Sequence, residues 1–227
     1  MTALRASVMV TAACVALTAC GVLSNSVTVK EAQPEARKLG ITWQPRRAVN
    51  PARWPDACDL LGEKEIKAFL PQATNLRRTA EWVTVGEAGA LGPDGAGRAD
   101  SGKCTYEVKL PSPSGRPFGN DISIGIDAVG DPALVTRFFD GARKGASRSA
   151  VVEDLNAAGA DACFGSRTAK NDVPAVTCRR GPLMFTIPSM SWYVNIDGVE
   201  REDTPRKNRV IEKQVIPAVI ETVTAKV

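Results

Sequence analysis

Histidine is absent from all 227 residues. Its absence removes the imidazole base, the Ser-His-Asp triad, the Cys-His dyad and any His-ligated zinc site from the available chemistry. Aromatic residues make up only 5 %, so a buried core has to be built mainly from aliphatic side chains. No two cysteines stand in Cys-x-x-Cys spacing, which leaves zinc ribbons and thioredoxin-like redox pairs without their ligands. These gaps lead to the expectation of a non-catalytic protein with no cofactor and no metal site.

What is present begins with a leader. Arg5 precedes an apolar stretch, residues 6–17, that is too short to span a membrane but suits a signal-peptide core. It ends in Leu17-Thr18-Ala19-Cys20, followed by Gly21. This tetrad resembles the lipobox of bacterial lipoproteins. The resemblance implies cleavage before Cys20, a diacylglyceryl thioether on its sulfur and often a further acyl chain of the palmitate class on the new amine. Two or more chains anchor stably where one binds only marginally. The expected address is the extracytoplasmic face of the cell membrane, with membrane lipid as a partner through acylated Cys20.

Charge separates the rest into two parts. The chain carries 29 basic and 25 acidic residues. Residues 21–55 hold Lys30, Arg37, Lys38, Arg46, Arg47 and Arg53 against Glu31 and Glu35, while residues 56–227 hold 22 basic and 23 acidic. The excess is confined to a segment read as a basic tether, 20–55, whose cations would meet anionic headgroups or simply water. The body, 56–227, is read as a single domain with no basic face, so nucleic acid is not an expected partner.

Cys14 leaves with the leader and Cys20 is the lipid site, so Cys58, Cys104, Cys163 and Cys178 remain in an exported domain, where disulfides are expected. Of the three possible pairings the local one is best supported. Joining Cys163 to Cys178 centres a hairpin within Ala169-Lys170-Asn171-Asp172, and Asn and Asp favour turns. Cys58 is then left with Cys104.

In chain order, residues 59–70 have apolar spacing suited to a short helix that Pro71 stops. A strand is expected at 81–85. Residues 86–102, with six glycines, read as a mobile loop. Strands follow at 104–110 and at 121–129, where Ile122, Ile124, Ile126 and Ala128 alternate with Ser123, Gly125 and Asp127. Asp131 and Pro132 open a helix to about 144, with Leu134, Val135, Phe138 and Phe139 as its buried stripe. Further strands are expected at 150–155, 159–165, 173–180, 183–187 and 191–196. Thr204-Pro205 opens a last helix, which Pro217 should kink or break near Ile216, because the apolar residues on either side would face opposite ways on a straight helix. The expected class is α+β, an antiparallel sheet with about three helices packed on it and two disulfides. Its halves read alike, as helix plus three strands and then helix plus four.

The lipobox, the polar segment, Asp56-Ala57-Cys58-Asp59-Leu60-Leu61, and Cys104-x-Tyr106 together resemble actinobacterial lipoproteins grouped as a domain family of unknown function. Gly159-Ala160-Asp161-Ala162-Cys163, with Arg180-Gly181 beyond the hairpin, fits the same pattern. The resemblance covers roughly residues 56–225 and implies no catalytic residues. A second likeness is to the two-disulfide extracellular sensor domains of actinobacterial Ser/Thr kinases, which implies ligand sensing by analogy. The functional expectation is a binding or sensing module for a small molecule or an envelope protein, with Trp192 and Tyr193 as the candidate ligand surface. A structural or assembly lipoprotein is the alternative. A hydrolase using two of Asp121, Asp127, Glu153 and Asp154 is the third reading, although nothing in the spacing marks a pair.

Overall fold

The computed structural model of the protein describes residues 26–86, 91–112, 118–170 and 173–227. The leader and Cys20 lie outside them, as does part of the expected 169–172 turn. Seven antiparallel strands form the central sheet: β2 (Thr74–Val85), β3 (Gly97–Leu110), β4 (Phe118–Val129), β5 (Val151–Leu155), β6 (Ala162–Arg167), β7 (Ala175–Arg180) and β8 (Leu183–Ile187). Their spatial order is β2-β3-β4-β8-β7-β6-β5, so two meanders meet edge to edge at β4 and β8. The helices are α1 (Glu63–Phe69), α2 (Pro132–Ala146), α3 (Thr204–Val210) and α4 (Ile216–Thr224). The fold is α+β. Each meander is preceded by one helix, and α3 and α4 close the chain.

One face of the sheet carries the main core. Ile66 and Phe69 of α1 and Ile211, Val215, Val219 and Val223 of the final helical run pack with Cys104, Tyr106, Ile122, Ile124, Cys178 and Phe185. The opposite face is only partly covered, by α2 through Val135 and Phe139 against Ala128, Phe164 and Met184. Asp131 caps α2 by accepting from the N–H groups of Ala133 (2.7 Å) and Leu134 (3.3 Å); the Arg46 N–H, donating at 2.8 Å, does most to hold its carboxyl below the usual range, and the cap bonds add to it.

Both disulfides are present, Cys58–Cys104 and Cys163–Cys178. Cys163 and Cys178 are directly opposed in the β6–β7 ladder. The Asp56–Leu61 motif forms the other anchor. Asp56 accepts from the Cys58 N–H at 2.8 Å, Leu60 and Leu61 are fully buried, and the Tyr106 hydroxyl faces the carbonyls of Cys58 and Leu61. Desolvation there pushes the Tyr106 phenol up to about 12. Asp161 accepts from the Gly181 N–H (2.7 Å), Arg180 (3.0 Å) and Arg179 (3.3 Å). Burial works to raise the Asp161 carboxyl, but these donors hold it below its ordinary value.

Several expectations change. Residues 26–55 lie against the domain from Ser26 onward. β1 (Ser26–Val27) pairs in parallel with β9 (Asn195–Ile196), and Val27 is wholly buried. Lys38 donates to the Ala225 carbonyl at 2.7 Å, and Arg37 lies 3.5 Å from Asp59, so these cations serve docking. The 86–102 loop is shorter than expected, because Gly97, Arg98 and Ala99 already pair with Val85, Thr84 and Val83. Residues 191–194 are not strand; only Asn195–Ile196 is. Asp203, not Thr204, caps α3, accepting from the Arg206 N–H at 3.3 Å.

The fault expected near Ile216 is present as an interruption of the α-helix just before it. A single π-helical turn, Ile211–Val215, joins α3 to α4, and the Ile216 N–H bonds the Ile211 carbonyl five residues back. The wider turn takes up one extra residue and places Pro217 in the first turn of α4, where its missing N–H costs little. It also brings Ile211 and Val215 onto the same buried side as Ile216, Val219, Ile220 and Val223.

Candidate functional site

Where α2 leaves the sheet uncovered there is a cavity of about 580 Å³, within the range of small-molecule sites. Val83, Thr84 and Val85 of β2 and the backbone at Gly86, Leu91 and Gly92 wall one side. Phe138, Ala142 and Ala146 of α2 wall the other. The floor is a row across the sheet: Lys103, Gly125, Thr186, Thr177 and Phe164 are consecutive cross-strand partners. Lys103, Thr186 and Thr177 make most of the row polar where α2 does not cover it, and Phe164 at its end belongs to the small core under α2.

Asp127 lies on this floor beside Gly125, and β4 is irregular at it. Ile126 opposes Phe185 and Ala128 opposes Met184, so Asp127 is an extra residue between them. Such a bulge re-aims side chains. It sends Ala128 to the α2 face, not to the face of Ile122 and Ile124 as simple alternation predicts. Asp127 itself keeps the side that alternation gives it, that of Gly125, and its carboxyl lies on the cavity.

The surrounding hydrogen bonds have a fixed direction. The Thr186 hydroxyl donates to Asp127 Oδ2 at 2.6 Å. Its single hydrogen is then used, so the 2.8 Å contact with Thr177 runs from Thr177 to Thr186. Desolvation pushes the Asp127 carboxyl up to about 6, with the Thr186 bond acting in the opposite direction. Lys103 donates to Glu81 at 3.0 Å, and Glu81 also accepts from Thr105 at 2.7 Å. Those two bonds, Thr105 first, lower the Glu81 carboxyl.

Trp192 is fully buried in the main core and donates from Nε1 to the Asp121 carbonyl at 3.3 Å, so it is core rather than ligand surface. Tyr193 is exposed, with the Lys207 ammonium 6.0 Å from its ring. Neither residue lines the cavity. The four carboxylates are not brought together: Asp121, Glu153 and Asp154 are exposed, Asp154 is bonded to Arg143 at 2.8 Å, and only Asp127 faces the cavity. Phe138, read as core from its helical stripe, is a wall of the site. The sequence signal for the site was the Gly125–Asp127 pair on the polar side of an otherwise apolar strand. Thr177 and Thr186 carried none.

No protein-family model, curated protein or solved structure matches the chain. Among the described residues no helix is long and apolar enough to cross a membrane.

Proposed function

We propose that the protein is a lipid-anchored binding or sensing module of the cell envelope, whose small-molecule ligand occupies the cavity beneath α2. The observation that carries this reading is the cavity itself: an apolar-walled space on the half-covered sheet face, with hydroxyls and a single carboxylate converging on its floor. Two disulfides suit an exported, oxidising address. The docking of β1 adds a geometric consequence. Cys20 and the buried Val27 are about seven residues apart, so a lipidated Cys20 would hold the domain within about 25 Å of its anchor.

The assembly alternative rests on the edge strands, where Trp82 on β2 and Val151 on β5 are exposed. Mass spectrometry of the mature N-terminus tests the anchor: the expected result is a diacylglyceryl Cys20, and cleavage elsewhere with no lipid would refute it. Titration of the mature protein with a neutral apolar probe, 1-adamantanol, tests the cavity. Binding that Gly125→Leu abolishes supports the reading, and absence of binding refutes it.

A further inference from the structure

We propose that the ligand is a small amphiphile with an apolar body and one ammonium head, and that Asp127 recognises the head. This inference rests on the reading of the cavity as a binding site. Charge makes the first argument. Among the described residues, Asp127 and Lys103 are the only ionisable ones lining the cavity, and Lys103 is already engaged by Glu81 at 3.0 Å. Among the described residues the Asp127 carboxylate has one hydrogen-bond donor, Thr186, and no cationic partner. An ionised carboxylate held in such surroundings is costly until a counter-charge arrives. An ammonium group supplies that charge and donors for the remaining oxygen. A carboxylate ligand would meet repulsion, and an alcohol would leave the charge uncompensated.

Shape makes the second argument. Gly125 sits mid-strand on the floor, where glycine is otherwise unfavourable and often marks close approach of a ligand. A Cβ built there meets nothing nearer than the Gly102 carbonyl oxygen at 4.0 Å, so the absent side chain leaves room that packing does not need. Val83, Phe138, Ala142 and Met184 around it suit a compact hydrocarbon body.

The reading has a pH signature. Among the described residues, the elements facing Asp127 contribute no other titrating group to the cavity: α2 presents Phe138, Ala142 and Ala146, while β6, β7 and β8 present Ser166, Thr177, Met184 and Thr186. From β3 only Lys103 among the described charged residues lines the cavity, and it is paired with Glu81 of β2. With the Asp127 carboxyl near 6, acidification to pH 5 protonates it, and ammonium affinity falls by about tenfold from its value at pH 7.5.

The test is calorimetric titration of the mature full chain in lipid nanodiscs, against empty nanodiscs, with 1-adamantylammonium, 1-adamantanol and 1-adamantanecarboxylate. The expected result is at least tenfold tighter binding of the ammonium than of the alcohol at pH 7.5, and no binding of the carboxylate. The ammonium advantage should vanish at pH 5 and in Asp127→Asn. If the alcohol binds and Gly125→Leu blocks it, yet the ammonium is no tighter, the cavity stands and the Asp127 assignment falls. If none of the three binds wild type, the binding-site reading itself falls, and this inference with it. The comparison among ligands on wild type needs no variant to fold.

Discussion

Asp127→Asn should make the protein more stable at neutral pH and confer no gain in acid. The carboxyl is raised from an ordinary 3.8 to about 6, chiefly by burial, so the folded state holds its proton more tightly than the unfolded chain does. Stability is therefore lost as pH rises through this interval, the reverse of the usual behaviour of a salt-bridged aspartate. The displacement corresponds to about 3 kcal/mol, and contact with the cavity reduces the expectation to about 2 kcal/mol. Asparagine keeps the shape and can still accept from Thr186 but carries no charge, so the variant escapes this penalty. Its amide N–H groups need a new acceptor or cavity water, a cost of about 1 kcal/mol present at every pH. The assay is urea unfolding of both proteins from pH 4 to pH 8, read by tryptophan fluorescence with m-values held equal. The difference between variant and wild type should grow by about 2 kcal/mol between pH 4 and pH 8, with most of the change between pH 4 and pH 6.5. Parallel pH profiles would refute the argument, because every other carboxyl titrates in both proteins and cancels.

Two other perturbations probe the scaffold. Lys226 and Glu65 form a buried ion pair at 2.6 Å, in which Glu65 also accepts from the N–H groups of Gly62 (2.7 Å) and Glu35 (2.9 Å) while Lys226 donates to the Asp59 carbonyl at 3.0 Å. Lys226→Met strands the Glu65 charge and should cost about 3–5 kcal/mol in urea unfolding, whereas Glu65→Leu with Lys226→Met should cost less than the single change; a loss under about 1 kcal/mol for the single variant would contradict the role. Replacing Cys163 and Cys178 by serine removes a crosslink over a separation of 15 residues and should lower stability by about 3 kcal/mol, and a loss smaller than about 1 kcal/mol in urea unfolding would contradict it.

The elements legible in the sequence were those whose two sides face different surroundings. Ile122 and Ile124 alternate because one sheet face is buried, Asp131-Pro132 carries a cap signal, and the local pairing of Cys163 with Cys178 is present, although Asn171 and Asp172 of the expected turn lie outside the described residues. The first half of β2, residues 74–80, escaped because it is a largely exposed edge strand with no apolar alternation to detect. The first turns of β3 were masked by glycines, and Gly102 is there because a Cβ would come within 2.1 Å of Val83 Cγ2. Residues 26–55 dock largely through backbone bonds such as Lys30 N–H to the Phe69 carbonyl at 2.9 Å, which composition does not encode. The conflict at Pro217 was readable, but its resolution by a π turn depends on which carbonyl the Ile216 N–H finds. The site was the least legible part. The bulge at Asp127 exists only in the register between β4 and β8, and the Thr186 bond to Asp127 joins residues 59 apart in sequence.

The central claim is that the space under α2 is a ligand site, and amide chemical-shift mapping with 1-adamantanol tests it most directly. The account predicts shifts confined to residues 83–86, 125–127, 138–146 and 184–186, saturating with ligand and absent in Gly125→Leu. Shifts clustered instead around Tyr193 or along the exposed edge strands, or none at all, would contradict it.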